Sequence, residues 1–221
     1  MYKLSNLLFI LLLLFLFSPF SMGQTPPNLS RSSDRLWLDS EIGHQGDCQW
    51  KMIKAGDATD PGEKISLSNY ATANWMPAIV PGTVLNSLVY NKKYPEPYYG
   101  INNKIESKLI PDISETGRDF YTYWFRTDFT VPQSFKGKTV WLQLDGINYR
   151  AEIWVNGNLL STMNGMFIQD YIDVTDFVKV GESNGLAIKV YPVDVPGSTK
   201  PKSGGAAGEF HNGGNGNIGL N

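Results

Sequence analysis

The chain has 221 residues and a formal net charge of −2, from 19 basic and 21 acidic side chains. No run or stripe of basic residues is present, so nucleic acid and anionic membrane surfaces are poor candidate partners. The single cysteine cannot form an intramolecular disulfide, and two histidines without a Cys/His cluster argue against a zinc site. We expect no metal and no cofactor, except that a structural calcium ion stays open because calcium needs only oxygen ligands.

Residues 1–23 have the pattern of a cleavable signal peptide. Lys3 precedes an unbroken apolar run from Leu7 to Phe17, and the small residues Ser21 and Gly23 precede a cut before Gln24. A buried helix or a membrane anchor fits less well, because the run falls short of the ~20 apolar residues that span a bilayer. We therefore expect export to the periplasm or the extracellular space, and no membrane contact in the mature form.

Residues 24–48 are predicted to form a leader segment, followed by one domain over residues 49–221. A short strand is predicted for residues 49–53, and residues 121–129 alternate with a period of two. One face of this second strand carries Tyr121, Tyr123, Phe125, Thr127 and Phe129, and the other carries Thr122, Trp124, Arg126 and Asp128. The pattern predicts a half-buried strand with one polar face.

Further strands follow at short intervals. Val140, Leu142 and Leu144 alternate before the turn Asp145-Gly146, residues 151–155 form the next strand, and Leu186, Ile188 and Val190 alternate before Pro192. Asn156-Gly157 lies between apolar runs and predicts a tight hairpin, since a type I′ turn needs positive φ at both positions.

Helical periodicity is confined to short stretches, with a turn or two at residues 81–90 and another at 173–178. The fold class is therefore all-β, and a two-sheet sandwich buries one face of each strand. Residues 192–221 are rich in glycine and indicate either a disordered tail or a long loop whose partner strand lies beyond the chain.

A pair of carboxylates could cleave a glycosidic bond, and the candidates for such a pair are Asp119, Asp128, Asp145 and Glu152. Asp145 lies at a turn and Asp128 on the polar face of a strand, so a structural, solvated role is favoured. No nucleophile motif is visible either. We predict no catalytic residue in this chain.

Aromatic residues are crowded between residues 75 and 124, and the segment 94–103 (YPEPYYGINN) combines rings with amides. Aromatic rings stack on the C–H faces of sugars, while amides and carboxylates bind the hydroxyl groups. The two prolines of the segment 94–103 restrict its backbone, so the segment would present its rings at low entropic cost. The alternative for any single ring is that it fills the core.

Six segments together resemble the N-terminal sugar-binding domain of glycoside hydrolase family 2, closest to its exo-β-glucosaminidase and β-mannosidase branch. They are WMPAIVPGTVLNSLV (75–89), PYYGINN (97–103), YWFRTDFTVP (123–132), LQLDGINYRAEIWVNG (142–157), DVTDFV (173–178) and LAIKVYP (186–192). The resemblance implies a jelly-roll sandwich of the galactose-binding-like type. It also implies that, in the parent enzyme, this domain packs on a (β/α)8 barrel that carries both catalytic glutamates.

The resemblance further implies that the chain lacks the barrel, because a barrel alone needs ~250 residues. GNIGLN (216–221) resembles the stretch before the closing strands, so the sandwich is expected to lack those strands. By position, Tyr98, Tyr99, Asn102 and Asn103 are the candidate sugar-binding residues, and a β-linked glycan is the expected ligand. The alternatives are a free-standing, non-catalytic carbohydrate-binding module and a structural or adhesive sandwich.

Overall fold

The computed structural model describes residues 35–40, 42, 48–192 and 219–220. The predicted signal peptide and most of the predicted leader lie outside these residues. The strands are β1 (Lys51–Lys54), β2 (Met76–Pro77), β3 (Gly82–Thr83), β4 (Tyr123–Thr130), β5 (Trp141–Leu144), β6 (Ile147–Asn148), β7 (Arg150–Val155), β8 (Asn158–Asn164), β9 (Asp170–Asp173), β10 (Ser183–Tyr191) and β11 (Gly219–Leu220). The helices are α1 (Gly62–Ile65), α2 (Val84–Tyr90) and α3 (Ile113–Thr116). Within the described residues, four 3₁₀ turns are also present, at Ala55–Asp57, Ile105–Ser107, Arg118–Tyr121 and Gln133–Phe135.

The strands form three antiparallel sheets. The largest has the order β2-β1-β4-β10-β7-β8, and the smaller ones are β3-β11-β6 and β5-β9. The main core lies between the large sheet and the smaller ones, because side chains from both sides enter one apolar cluster. Large-sheet members include Phe125, Ile153 and Ile188, and Leu142 and Ile172 pack against them from β5 and β9. The prediction of an all-β fold is confirmed.

The predicted hairpin is confirmed at the junction of β7 and β8. Asn156 and Gly157 both have positive φ, at 47° and 89°. The side chain of Asn156 also accepts a hydrogen bond from the Gly185 amide (2.9 Å) and donates to the Asn184 side chain (2.7 Å). The turn is therefore held by tertiary contacts as well as by local backbone preference.

The prediction of a half-buried β4 is wrong, because both faces of the strand are covered. Trp124 is 4% exposed and Arg126 only 3%. The face predicted to be polar is covered by α1 and the residues after it, where Ile65 and Trp75 join a second apolar cluster that also holds Trp124, Trp154 and Ala187. We call residues 62–75 the covering segment.

Two glycines allow this close approach. A Cβ atom at Gly185 of β10 would lie 2.7 Å from the Leu67 carbonyl carbon and closer still to the Ser66 carbonyl oxygen. A Cβ atom at Gly62 would meet the indole of Trp154. Glycine inside a strand marks such an approach of a second backbone.

The predicted loop at residues 192–221 contains a strand that sequence reasoning missed. Gly219 and Leu220 form β11 and pair with β3 on one side and β6 on the other. Two-residue edge strands leave backbone groups free, and an inserted strand satisfies them. Part of the predicted leader also contacts the domain, since Ser40 is buried and exchanges hydrogen bonds with Val80.

Candidate functional site

The segment from residue 94 to residue 103, which we call the aromatic loop, follows α2 and precedes α3. Thr83 caps α2 by accepting a hydrogen bond from the Asn86 amide (2.9 Å), and the helix ends near Asn91. Tyr94 then packs its ring against the main core, and this burial raises the pKa of its hydroxyl above the ordinary value. The loop is therefore anchored at its start by a half-buried ring.

The backbone of the aromatic loop is braced from inside. The carbonyl of Glu96 accepts hydrogen bonds from the Tyr99 amide (3.3 Å) and from the side-chain amide of Asn102 (2.8 Å). The Tyr99 carbonyl in turn accepts from the Asn102 amide (3.1 Å). Gly100 occupies the left-handed region with φ 58°, which glycine adopts without strain. These bonds link the residues at the tip of the loop to its first half.

The rings at the tip of the loop are exposed to solvent. Tyr98 is 94% exposed and Tyr99 77% exposed, and Asn103 is exposed beside them. Asn102 differs from the other three predicted residues, because it is partly buried and its amide nitrogen is bonded to Glu96. The structure thus gives the four predicted residues two kinds of environment: Tyr98, Tyr99 and Asn103 face solvent, and Asn102 supports them.

Two of the four carboxylates named above as catalytic candidates, Asp128 and Asp145, have structural hydrogen-bond partners. Asp128 accepts two hydrogen bonds from the buried Arg126 (2.6 and 2.7 Å) and one from the Asn69 amide (3.0 Å). Asp145 is exposed and accepts from the side chains of Gln143 (2.6 Å) and Gln169 (3.3 Å). Asp119, the fourth candidate, is exposed.

Glu152 lies in a network that sequence reasoning missed. Its carboxylate accepts hydrogen bonds from the hydroxyl of Tyr191 and from the indole nitrogen of Trp154 (3.2 Å). Burial, followed by the bond to Glu152, raises the pKa of the Tyr191 hydroxyl well above its ordinary value. Arg150 lies over the Tyr191 ring, 4.9 Å from its centroid. The alternation of β7 and β10 places these side chains on one face, but only the pairing of the strands makes them neighbours.

No group of three or more His, Cys, Asp or Glu side chains among the described residues is arranged to hold a metal ion. Within the same residues, no helix combines the length and apolarity that a membrane span requires.

Comparison with known proteins identifies the family. Residues 50–211 match the glycosyl hydrolase 2 galactose-binding domain-like family. The chain belongs to this family. The predicted resemblance to glycoside hydrolase family 2 is therefore confirmed, and the antiparallel sheets agree with its galactose-binding-like domain.

Relatives of the chain are themselves glycosidases. A mannosylglycoprotein endo-β-mannosidase of Lilium longiflorum is 41% identical over 133 residues, which is 60% of this chain and 13% of the relative. An exo-β-D-glucosaminidase of Amycolatopsis orientalis is 28% identical over 146 residues, covering 65% of this chain and 13% of the relative. The crystal structure of the Amycolatopsis orientalis exo-chitosanase CsxA is similar at a TM-score of 0.55 and 27% identity, over 66% of this chain and 16% of that one. The chain thus spans about one eighth of the length of these curated relatives.

Proposed function

We propose that this chain is the N-terminal accessory sugar-binding domain of an exported family 2 exo-β-glycosidase. In this proposal, hydrolysis belongs to a (β/α)8 barrel outside these 221 residues, on which the domain packs. The family match supports a glycosidase context, and the relatives named above include an exo-β-glucosaminidase. The single observation that carries the sugar-binding part is the exposed pair Tyr98 and Tyr99 on a braced loop.

The aromatic loop suits a β-linked glycan for a physical reason. The Tyr98 and Tyr99 rings are exposed on a loop whose backbone is already hydrogen-bonded, so a stacking sugar needs little ordering of that backbone, and each hydroxyl can donate to the sugar. Asn103 adds an exposed amide that can both donate and accept. Asn102 acts by holding the Glu96 carbonyl, so its contribution is to position the rings.

Binding to the loop can be tested with the chain itself. The probes are short β-linked mannose and glucosamine oligosaccharides, and the measurement is titration calorimetry. We expect Tyr98→Ala and Tyr99→Ala each to weaken binding about three- to tenfold, because each removes a stacking face worth about 1 kcal/mol. Tyr98→Phe and Tyr99→Phe keep the ring and should lose less.

Tyr90→Ala is the matched control, since Tyr90 is 51% exposed on α2, outside the loop. Asn102→Ala should weaken binding without removing a ring, and the loss should be accompanied by faster hydrogen exchange at Tyr99. Unchanged affinity in Tyr98→Ala, Tyr99→Ala and their double variant would remove the aromatic loop from the sugar site.

The division of labour within the enzyme has its own test. The purified chain should not hydrolyse aryl β-glycosides, and turnover that follows the protein through purification would contradict the assignment of catalysis to another domain. In an enzyme that joins this domain to a barrel, Tyr99→Ala should raise KM clearly while it lowers the melting temperature little. If the isolated chain binds glycan but Tyr99→Ala leaves the KM of the joined enzyme unchanged, the free-standing binding module is the better description.

The proposed export is tested separately. Expression with the native N-terminus in a secreting host should give a mature protein that begins at Gln24. Retention of residues 1–23 on the purified protein would contradict the signal peptide.

A further inference from the structure

The two-stranded sheet β5-β9 has an outer face that no part of the proposed function uses. Leu142, Leu144 and Ile172 point to the main core. Because side chains alternate along a strand, Trp141 and Gln143 of β5 and Tyr171 and Asp173 of β9 lie on the opposite face. The register places Gln143 opposite Tyr171 and Trp141 opposite Asp173.

Two residues next to the strands extend this face. The carboxylate of Asp145, just after β5, accepts hydrogen bonds from Gln143 (2.6 Å) and from Gln169 (3.3 Å), which lies just before β9. The outer strip is defined by six residues, namely Trp141, Gln143, Asp145, Gln169, Tyr171 and Asp173. The two rings are half-buried, and the four polar side chains are exposed.

The polar groups of the outer strip are held in place before any ligand arrives. Asp145 ties the two glutamines together across the sheet, so both amides are oriented. Asp173 accepts from the amide (3.0 Å) and the hydroxyl (2.6 Å) of Thr175, and these bonds lower the pKa of its carboxyl below the usual value. A surface whose rings are partly buried and whose polar groups are already hydrogen-bonded needs little reorganisation on binding.

The charge of the outer strip selects among ligands. Its six residues include two carboxylates, two amides and two aromatic rings, and none is a cation. An anionic partner such as nucleic acid, an acidic glycan or an acidic lipid surface would be repelled. A neutral chain with C–H faces and many hydroxyl groups fits this surface. The aromatic rings can stack on its C–H faces, and the amides and carboxylates can bind its hydroxyl groups.

We propose that the outer strip binds a neutral β-linked glycan chain at a site separate from the aromatic loop. Residues two apart on a strand lie about 7 Å from each other, and neighbouring strands lie about 5 Å apart. The rings and amides therefore form a short ladder on which successive sugar units of an extended chain rest. The rings, amides and carboxylates of the outer strip suffice to contact the glycan, so binding there does not require the aromatic loop.

The test is a titration of the chain with a neutral β-1,4-linked mannohexaose, followed by calorimetry and by tryptophan fluorescence. We expect Tyr171→Ala and Gln143→Ala each to weaken binding about tenfold or less, and their double variant to weaken it further. Trp141→Phe should reduce the fluorescence change on binding while preserving a stacking ring. Gln143 is exposed, so its variant remains informative if replacing a half-buried ring unfolds the protein.

Variants of the aromatic loop make the outcomes distinguishable. If the outer-strip variants lose affinity and Tyr98→Ala with Tyr99→Ala does not, the outer strip binds glycan independently. If only the loop variants lose affinity, the outer-strip proposal is overturned and the proposed function stands. The proposal is also overturned if mannohexaose leaves the tryptophan fluorescence unchanged, or if outer-strip variants alter only the oligomeric state, which would indicate a protein partner.

Discussion

Arg126 connects the covering segment to the large sheet by hydrogen bonds, and replacing it should show how much these bonds contribute to the free energy of unfolding. Its guanidinium donates to the Ile65 carbonyl (3.2 Å), to the Leu67 carbonyl (2.8 Å) and to both carboxylate oxygens of Asp128. The side chain of Arg126 is 4% exposed, whereas that of Asp128 is 35% exposed. The arginine thus fixes two backbone carbonyls and one carboxylate from a buried position.

The expected magnitude follows from these contacts. Arg126→Met leaves two carbonyls without their donor, at about 1 kcal/mol each, and deprives Asp128 of its charged partner. Removing one partner of a fully buried ion pair costs about 3–5 kcal/mol. Because the Asp128 side chain is 35% exposed, water can hydrate its carboxylate in the variant, so we expect the lower end of that range. We expect a loss of about 3 kcal/mol for Arg126→Met. Asp128→Asn should cost about 2 kcal/mol, because it leaves the buried cation with neutral acceptors and no carboxylate partner.

The assay is equilibrium unfolding in urea of the wild type, both single variants and the double variant. Because the two side chains share hydrogen bonds, the double variant should lose at least about 1 kcal/mol less than the sum of the single losses. If Arg126→Met does not fold, Arg126→Lys replaces it in the series. An ammonium group keeps the positive charge but cannot make the paired hydrogen bonds of the guanidinium to both carboxylate oxygens. A loss below about 1 kcal/mol for Arg126→Met, or strict additivity, would refute the reasoning.

Three further changes test other parts of the fold by the same unfolding measurement. Gly185→Ala should cost about 2 kcal/mol, because the new Cβ would lie 2.7 Å from the Leu67 carbonyl carbon, whereas Gly56→Ala meets nothing within 4 Å and should change stability little. Asn184→Ala should cost about 2–4 kcal/mol, because its fully buried amide makes four hydrogen bonds that no other group replaces. Burial raises the pKa of Tyr123 to about 12, so its contribution to stability is present below pH 10, the usual value, and is lost as the pH rises from about 10 to 12. Tyr123→Phe should therefore reduce the alkaline loss of stability by about 2–3 kcal/mol, and an unchanged alkaline profile would contradict the burial of this hydroxyl.

Much of the fold could be predicted from the sequence because its signals are local. The strand at residues 123–130 and the hairpin at Asn156-Gly157 follow from a period of two and from a turn that requires positive φ. The helix after Gly82-Thr83 follows from a capping residue and a short apolar run. These features depend on residues close together in the chain, so composition and spacing suffice to find them.

The environment of the polar residues could not be predicted in the same way. Arg126 and Asp128 have the alternation of a solvated face, but the covering segment, about 60 residues earlier in the chain, folds over them. One signal was present, because Gly185 lies inside a strand, and such a glycine indicates close approach of another backbone. Which backbone approaches is a question of tertiary structure.

For the candidate site too, some features follow from local sequence and others only from the tertiary structure. The sequence by itself determined that rings and amides are concentrated at residues 94–103 and that prolines stiffen this stretch. Only the tertiary structure decided that Tyr98 and Tyr99 point outward while Asn102 braces the loop, and that β5 pairs with β9 to set Trp141 and Tyr171 on one surface. Local backbone preferences are encoded within a few residues, whereas strand pairing and burial arise from contacts between distant segments that no local pattern specifies.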